Sequence, residues 1–220
     1  MSDLLGVSFG TYHTWRDWGL YLMGPASVSL PVVRTNYVDV PGRDGYLDLS
    51  DALTGETVYE TRDFSVPLMS LASPEDWPGL YSGILNAIHG QKVQIILDED
   101  PGYYYTGRVA VDSPSYDGTW QFNINGVLNP YKRKRSETVV ECGLDGTERE
   151  IVLTNGRMPV VPTVTVDGET ELAWGGERAV LAAGTHILPG LRLTQGAQVL
   201  KARAAGGAGT LTITYREGSL

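Results

Sequence analysis

The sequence predicts a mainly β protein: an N-terminal β domain with one α-helix, followed by a small β-sandwich. Three observations predict it. Glycine and proline are plentiful, 27 and 12 in 220 residues, which suits many short strands joined by turns. Apolar residues recur with period two in several segments and with helical spacing in only one. After Asn129-Pro130-Tyr131 the composition shifts, at a run of Lys132, Arg133, Lys134 and Arg135. Everything beyond that run reads as strand and turn. The domain boundary is therefore placed near residue 133, giving domains 1–133 and 134–220.

In the first domain, Val28 to Val40 and Asp51 to Pro67 carry partly alternating apolar residues and read as half-buried strands. Between them lies Pro41-Gly42-Arg43-Asp44-Gly45, followed by Tyr46, Leu47, Asp48 and Leu49. A Pro-Gly pair followed by Asp-Gly asks the backbone to reverse tightly, with glycine supplying positive φ. This is a hairpin corner. The one helix starts after Ser73, a good N-cap, with Pro74 at the first helical position and Glu75 and Asp76 at the positive end of the dipole. Trp77, Leu80, Tyr81, Ile84, Leu85 and Ile88 share a face, and Gly90 ends the helix. A strand over Val93 to Leu97, a turn over 98–102 and a strand over Tyr103 to Val111 follow. Trp120 to Leu128 is a further strand, with Trp120, Phe122, Ile124, Gly126 and Leu128 on one side.

In the second domain, Asn155-Gly156 and Asp167-Gly168 are short-turn signals. Val160 to Val166, Ala179 to Leu181, His186 to Leu193 and Thr210 to Tyr215 are strand candidates. At about 85 residues this domain has room for a modest sandwich core.

Charge and cysteine content exclude several classes. The net charge of −9 argues against binding along a phosphate backbone, which needs clustered Lys and Arg. The KRKR run reads as a solvated linker. Cys142 is the one cysteine, so no intrachain disulfide and no cysteine-based zinc site is expected. No signal peptide and no bilayer-spanning run is evident, so synthesis and folding in a reducing cytoplasm are expected.

No constellation carries catalytic or metal chemistry. His13, His89 and His186 are far apart and lack metal-ligand spacing. Each is expected to be structural, with His89 suiting the C-terminal end of the helix dipole. Asp98-Glu99-Asp100 could meet a hard cation but lacks an EF-hand spacing, and Pro101-Gly102 closes a turn there. No phosphate-cradling glycine loop precedes a helix. We therefore expect no enzyme activity, no metal and no cofactor. Trp174-Gly175-Gly176-Glu177-Arg178 is the one candidate ligand motif. An indole face can stack on a sugar while Glu177 and Arg178 bond its hydroxyls. This resembles the tryptophan-centred half of a galectin sugar site, whose His-x-Asn-Pro-Arg half is absent.

The order of motifs is more specific than any one of them. PGRDGYLDLSDALTG (41–55), LYSGILNAIHGQKVQIILDED (80–100), YYYTGRV (103–109) and the ending GAGTLTITYREGSL (207–220) together resemble the distal tail protein (Dit) family of siphophages and their prophages. The resemblance implies an N-terminal belt domain that closes into a homo-hexameric ring, and a C-terminal galectin-like β-sandwich. It implies docking on the tail tube protein and on a tail-associated lysin or hub protein, with receptor-binding or other baseplate proteins as further neighbours. DNA would pass through the channel without specific binding. The expected location is the tip of the virion tail, after synthesis in the bacterial cytoplasm, with no membrane insertion. Gly42, Arg43, Asp44 and Gly45 would then form a shaped turn of the belt, folding the domain or touching the next subunit. The alternative is a carbohydrate-binding module contacting host saccharide through Trp174, Glu177 and Arg178.

Overall fold

The structure, a computed structural model, describes residues 5–220. It is mainly β with one helix, and the chain divides into two compact units, Met1–Lys132 and Arg133–Leu220.

The first unit contains β1 (Val7–Phe9), β2 (Tyr12–His13), β3 (Leu20–Leu22), β4 (Ser27–Val28), β5 (Tyr37–Asp39), β6 (Tyr46–Asp48) and β7 (Arg62–Ser70). Helix α1 (Trp77–Ile88) follows, then β8 (Lys92–Leu97), β9 (Tyr103–Val111), β10 (Ser115–Tyr116) and β11 (Trp120–Leu128). The boundary between the units falls within β12 (Lys132–Lys134). One antiparallel sheet runs β2-β1-β8-β9-β11-β7-β3, with β4 beside β7 and β10 beside β11.

Alternation builds this sheet. On β7, Arg62, Phe64, Val66, Leu68 and Ser70 are buried while the residues between them are more exposed. On β11, Phe122, Ile124 and Leu128 face the same core. Helix α1 supplies Trp77, Ile84 and Ile88 to that core, with Leu80, Tyr81 and Leu85 packed at its edge. Trp77 stacks on Trp120 with ring centres 4.9 Å apart, an arrangement that adds to simple burial.

The helix begins later than its cap signal suggests. Ser73 Oγ accepts the Asp76 N–H (3.3 Å) and donates to the Asp76 carboxylate (2.8 Å). These are capping contacts, but they close a turn over 74–76 that leads into the regular helix at Trp77. Gly90, at φ 73°, turns the chain out of the helix as expected. At the C-terminal end of the helix, His89 Nδ1 accepts the Val111 N–H at 3.1 Å and ties the helix end to β9.

The segment expected to hold long strands before β7 differs most. Of Val28 to Val40, only Val28, at the end of β4, and Tyr37–Asp39 are in strands, and Asp51 to Thr61 contributes an isolated Val33–Tyr59 bridge rather than a strand. These residues find no second sheet face to bury them, so β-propensity alone does not extend a ladder.

The second unit contains β13 (Thr138–Asp145), β14 (Arg149–Asn155), β15 (Thr163–Val166), β16 (Thr170–Trp174), β17 (Glu177–Leu181), β18 (Gly184–Ile187), β19 (Gly196–Ala204), β20 (Ala208–Tyr215) and β21 (Gly218–Ser219). Two four-stranded sheets, β13-β20-β15-β18 and β14-β19-β16-β17, share one core of Val164, Leu211 and Ile213 from one side and Leu153, Leu172 and Leu200 from the other. This is a β-sandwich.

Two turn assignments change. Asn155-Gly156 is not a two-residue hairpin. Asn155 is buried at the end of β14, where its Nδ2 donates to the carbonyls of Met158 and Leu193, both at 2.9 Å. Asp167-Gly168 connects strands of different sheets, and Asp167 Oδ1 accepts the Thr210 N–H at 2.7 Å. A two-residue hairpin is instead formed by Gly175-Gly176 between β16 and β17, with φ 51° and 88°. Both central residues need positive φ in that turn.

The KRKR run is ordered. Lys134 is in β12, its N–H bonds Glu217 O at 3.0 Å, and its Nζ bonds Glu217 Oε1 at 2.8 Å. Lys132 pairs with Asp100 at 2.7 Å and sits 4.6 Å from the Tyr103 ring centre.

Candidate functional site

The PGRDG segment sits at the tip of an exposed hairpin. β5 and β6 pair only with each other, in register Tyr37–Asp48, Val38–Leu47 and Asp39–Tyr46. Gly42 and Gly45, at φ 84° and 72°, turn the chain between them. The base is tied by local bonds. Leu49 N–H reaches Asn36 O at 2.8 Å, and Ser50 bonds the Asp48 carboxylate through side chain and backbone. Those two bonds hold the Asp48 carboxyl below its ordinary value. Arg43 and Asp44 are both exposed.

The sequence on either side of this turn carries exposed apolar residues. Leu53 is 99% exposed, Leu30 85% and Tyr46 70%. Scattered exposed apolar residues are ordinary, and these three stand out by their near-complete exposure within one stretch of the sequence. Residues 34–56 also carry five acidic side chains against two arginines.

The same unit has an open groove of about 950 Å³ lined by Asp63, Ser65, Lys92, Arg108, Asn125 and Val127, among others. On β7 the groove is lined by Asp63 and Ser65 and also touches the buried Phe64. Gly107 and Gly126, on the neighbouring strands β9 and β11, are part of its lining. A Cβ on Gly107 would stand 2.3 Å from Val127 O. Lys92 and Arg108 give the groove a basic character, and Arg108 also donates to Gly90 O.

In the sandwich, the WGGER motif is split between two faces. Trp174 pairs with Glu177 across the turn, and both line a cleft of about 400 Å³ with Arg192 and Gln198. Arg178 pairs with Ala173 and lines a different groove, beside Glu148, Glu171, Lys201 and Arg203. Successive residues of a strand point to opposite faces, so adjacency in sequence separates Arg178 from Glu177. In that second groove Arg203 grips Glu171 with two bonds, 2.9 and 2.6 Å, and Lys201 reaches Glu148 at 3.1 Å. Hydrogen bonding and charge from Arg203 hold the Glu171 carboxyl below its ordinary value.

The histidines have structural settings. His13 is buried, with Nε2 2.9 Å from Asp98 Oδ2. Its Nδ1 accepts backbone N–H groups of Trp15 and Arg16 at 3.2 and 3.1 Å, which places the ring proton on Nε2. Both nitrogens are thus engaged. His186 Nε2 lies 2.7 Å from Ala182 O. Among the described residues no group of three His, Cys, Asp or Glu side chains could hold a metal, and no helix is long and apolar enough to cross a membrane.

No family model and no curated protein sequence matches the chain. Solved structures do. The crystal structure of the Dit (gp 19.1) protein of phage SPP1 superimposes with a TM-score of 0.69 over 99% of this chain and 100% of that one, at 14% identity. The fold is that of a phage distal tail protein. SPP1 Dit is described as a paradigm of the hub adsorption apparatus in phages that infect Gram-positive bacteria. The Dit likeness spans both units. At this identity the likeness concerns the Dit fold, and side-chain roles rest on the geometry above.

Proposed function

We propose that the chain is a structural protein of a phage tail tip. Six copies form a ring that joins the tail tube to the baseplate hub, the tail-associated lysin and the adhesion apparatus. The function resides in surfaces rather than in catalytic residues. The observation that carries this reading is the exposed β5–β6 hairpin with Leu30, Tyr46 and Leu53, a set of apolar side chains that the described residues of one copy leave in water. The whole-chain Dit likeness supports it.

In this reading the hairpin of one copy seats in the β7-β11-β9 groove of the next. The acidic arm meets Lys92 and Arg108, and the apolar side chains meet Val127. Such a contact joins different surfaces on the two partners, and repetition with a closing rotation makes a ring. The acidic net charge suits a channel along which DNA moves without sticking.

The test is native mass spectrometry of the full chain, alone and with tail tube protein, followed by electron microscopy of assembled tails. Six-copy rings are expected. A Tyr46→Ser, Leu53→Ser double variant is expected to lose the ring while its melting temperature stays that of the wild-type monomer. Tails in which this chain is absent from the tip, or rings that survive the double variant, would overturn the reading or the assigned contact respectively.

A further inference from the structure

We propose that the free edge of β17 is a strand-addition site for an extended segment of a partner protein, one that carries an aliphatic residue and a carboxylate on the same face. The site lies wholly within the second unit and is independent of ring formation. β17 is the outer strand of its sheet and pairs only with β16. The two-residue turn makes Trp174–Glu177 a hydrogen-bonded pair, and alternation makes Leu172–Ala179 and Thr170–Leu181 the next ones. Arg178 and Val180 therefore turn their backbone N–H and C=O groups to the free side. Among the described residues no other element bonds these groups. Both residues are exposed, Val180 at 65%.

An open edge by itself is ordinary, and a charged residue on it is the usual guard against pairing. Here the same two residues also border a cavity of about 140 Å³, shared with Glu171, Ala173, Lys201 and Arg203. Main-chain groups along an edge give an added strand its affinity, and a side-chain pocket beside them gives specificity. The charges of the pocket decide which side chain enters. Arg203 holds Glu171 with two bonds, and Lys201 reaches Glu148 at 3.1 Å and Glu150 at 3.5 Å. Those carboxylates have their cations, while the Arg178 guanidinium has no hydrogen bond or ion pair of its own among the described residues. A carboxylate opposite Arg178 on the added strand completes it with a charge-assisted bond. Val180 lies on the same face of the strand and takes the aliphatic side chain. In an antiparallel strand the required order is aliphatic, any residue, acid.

The probe is a fluorescent peptide with Val-Thr-Glu at its centre, flanked by threonines, and the control carries Val-Thr-Lys instead. Each is titrated into the full chain. Anisotropy should saturate, with the glutamate peptide bound about tenfold more tightly than the lysine peptide, the worth of one charge-assisted hydrogen bond. In the amide NMR spectrum the Arg178 and Val180 signals should shift and gain protection from exchange. Arg178→Glu should reverse the order of the two peptides. Val180→Pro removes an N–H that no other element uses, at an edge where proline is tolerated. It should weaken both peptides about tenfold and leave the signals of the other strands in place. Peptides that bind equally well, or that leave both amides unmoved at millimolar concentration, would make Arg178 an edge guard and nothing more. Loss of the six-copy ring in Arg178→Glu would assign the edge to a second copy of this chain. Each of these results overturns the proposal.

Discussion

Gly107 shows how one missing side chain shapes a surface. It pairs with Leu128 across β9 and β11, and a Cβ there would stand 2.3 Å from Val127 O and 2.8 Å from Leu128 Cα. Those are backbone atoms of a strand held on both sides, so they cannot yield. Gly107→Ala is expected to cost about 2–3 kcal/mol, read as a lower urea midpoint. Gly102→Ala, with open space around the new Cβ, should stay within about 0.5 kcal/mol. Glu217 offers a pH-dependent test. Burial works upward on its carboxyl and is the largest single influence. The bonds from Lys134 and Thr138 with the Lys134 charge together outweigh it, and the net direction is down. A depressed folded value means that the unfolded chain takes up the proton first. The stabilisation is full above the ordinary glutamate range and is lost as pH falls through the folded value. The stability gap between wild type and Glu217→Gln should be present at neutral pH and close in acid, as a pH series of urea midpoints would show. Neither residue was visible as special in the sequence. A close approach such as that of Gly107 depends on a partner strand, and Lys134 meets Glu217 from 83 positions away.

Elements differ in how far local sequence defines them. The helix was legible because its apolar stripe, its early prolines and Gly90 all lie within one short segment. The β8–β9 hairpin and β11 were legible through period two. Strand β19 was not. Its buried positions include Ala202 and Ala204, whose small side chains mute the alternation, while Lys201 and Arg203 line the outer face. The β5–β6 hairpin is the reverse case: its corner was evident, but its isolation from the main sheet was not. Because it packs on no core, its turn carries its own stability. Gly45→Val forces a branched side chain to positive φ, at about 1–2 kcal/mol. Amide exchange at Leu49, whose N–H closes the hairpin base, should accelerate, while exchange at Ile124 in the core stays unchanged. Equal acceleration at both would mean that the hairpin is part of the cooperative fold.

At the scale of the whole molecule, the acidic arm and the basic groove belong to one chain but are proposed to meet between copies. Lys92→Glu places a negative charge where the arm must seat. It should lower the yield of rings in native mass spectrometry and leave the monomer melting temperature unchanged, since Lys92 is exposed. Raising salt should weaken wild-type assembly in part, because screening removes the charge attraction and leaves the apolar contact. Period-two alternation, glycine turns and a single helical stripe were sufficient for fold class and for the position of the PGRDG corner, since these are properties of neighbouring residues. Where charges and polar atoms meet is a property of register and facing. Register separated Arg178 from Glu177, brought Gln198 and Arg192 to Trp174, and left the hairpin in solvent, because each depends on strands that are distant in sequence and adjacent only after folding.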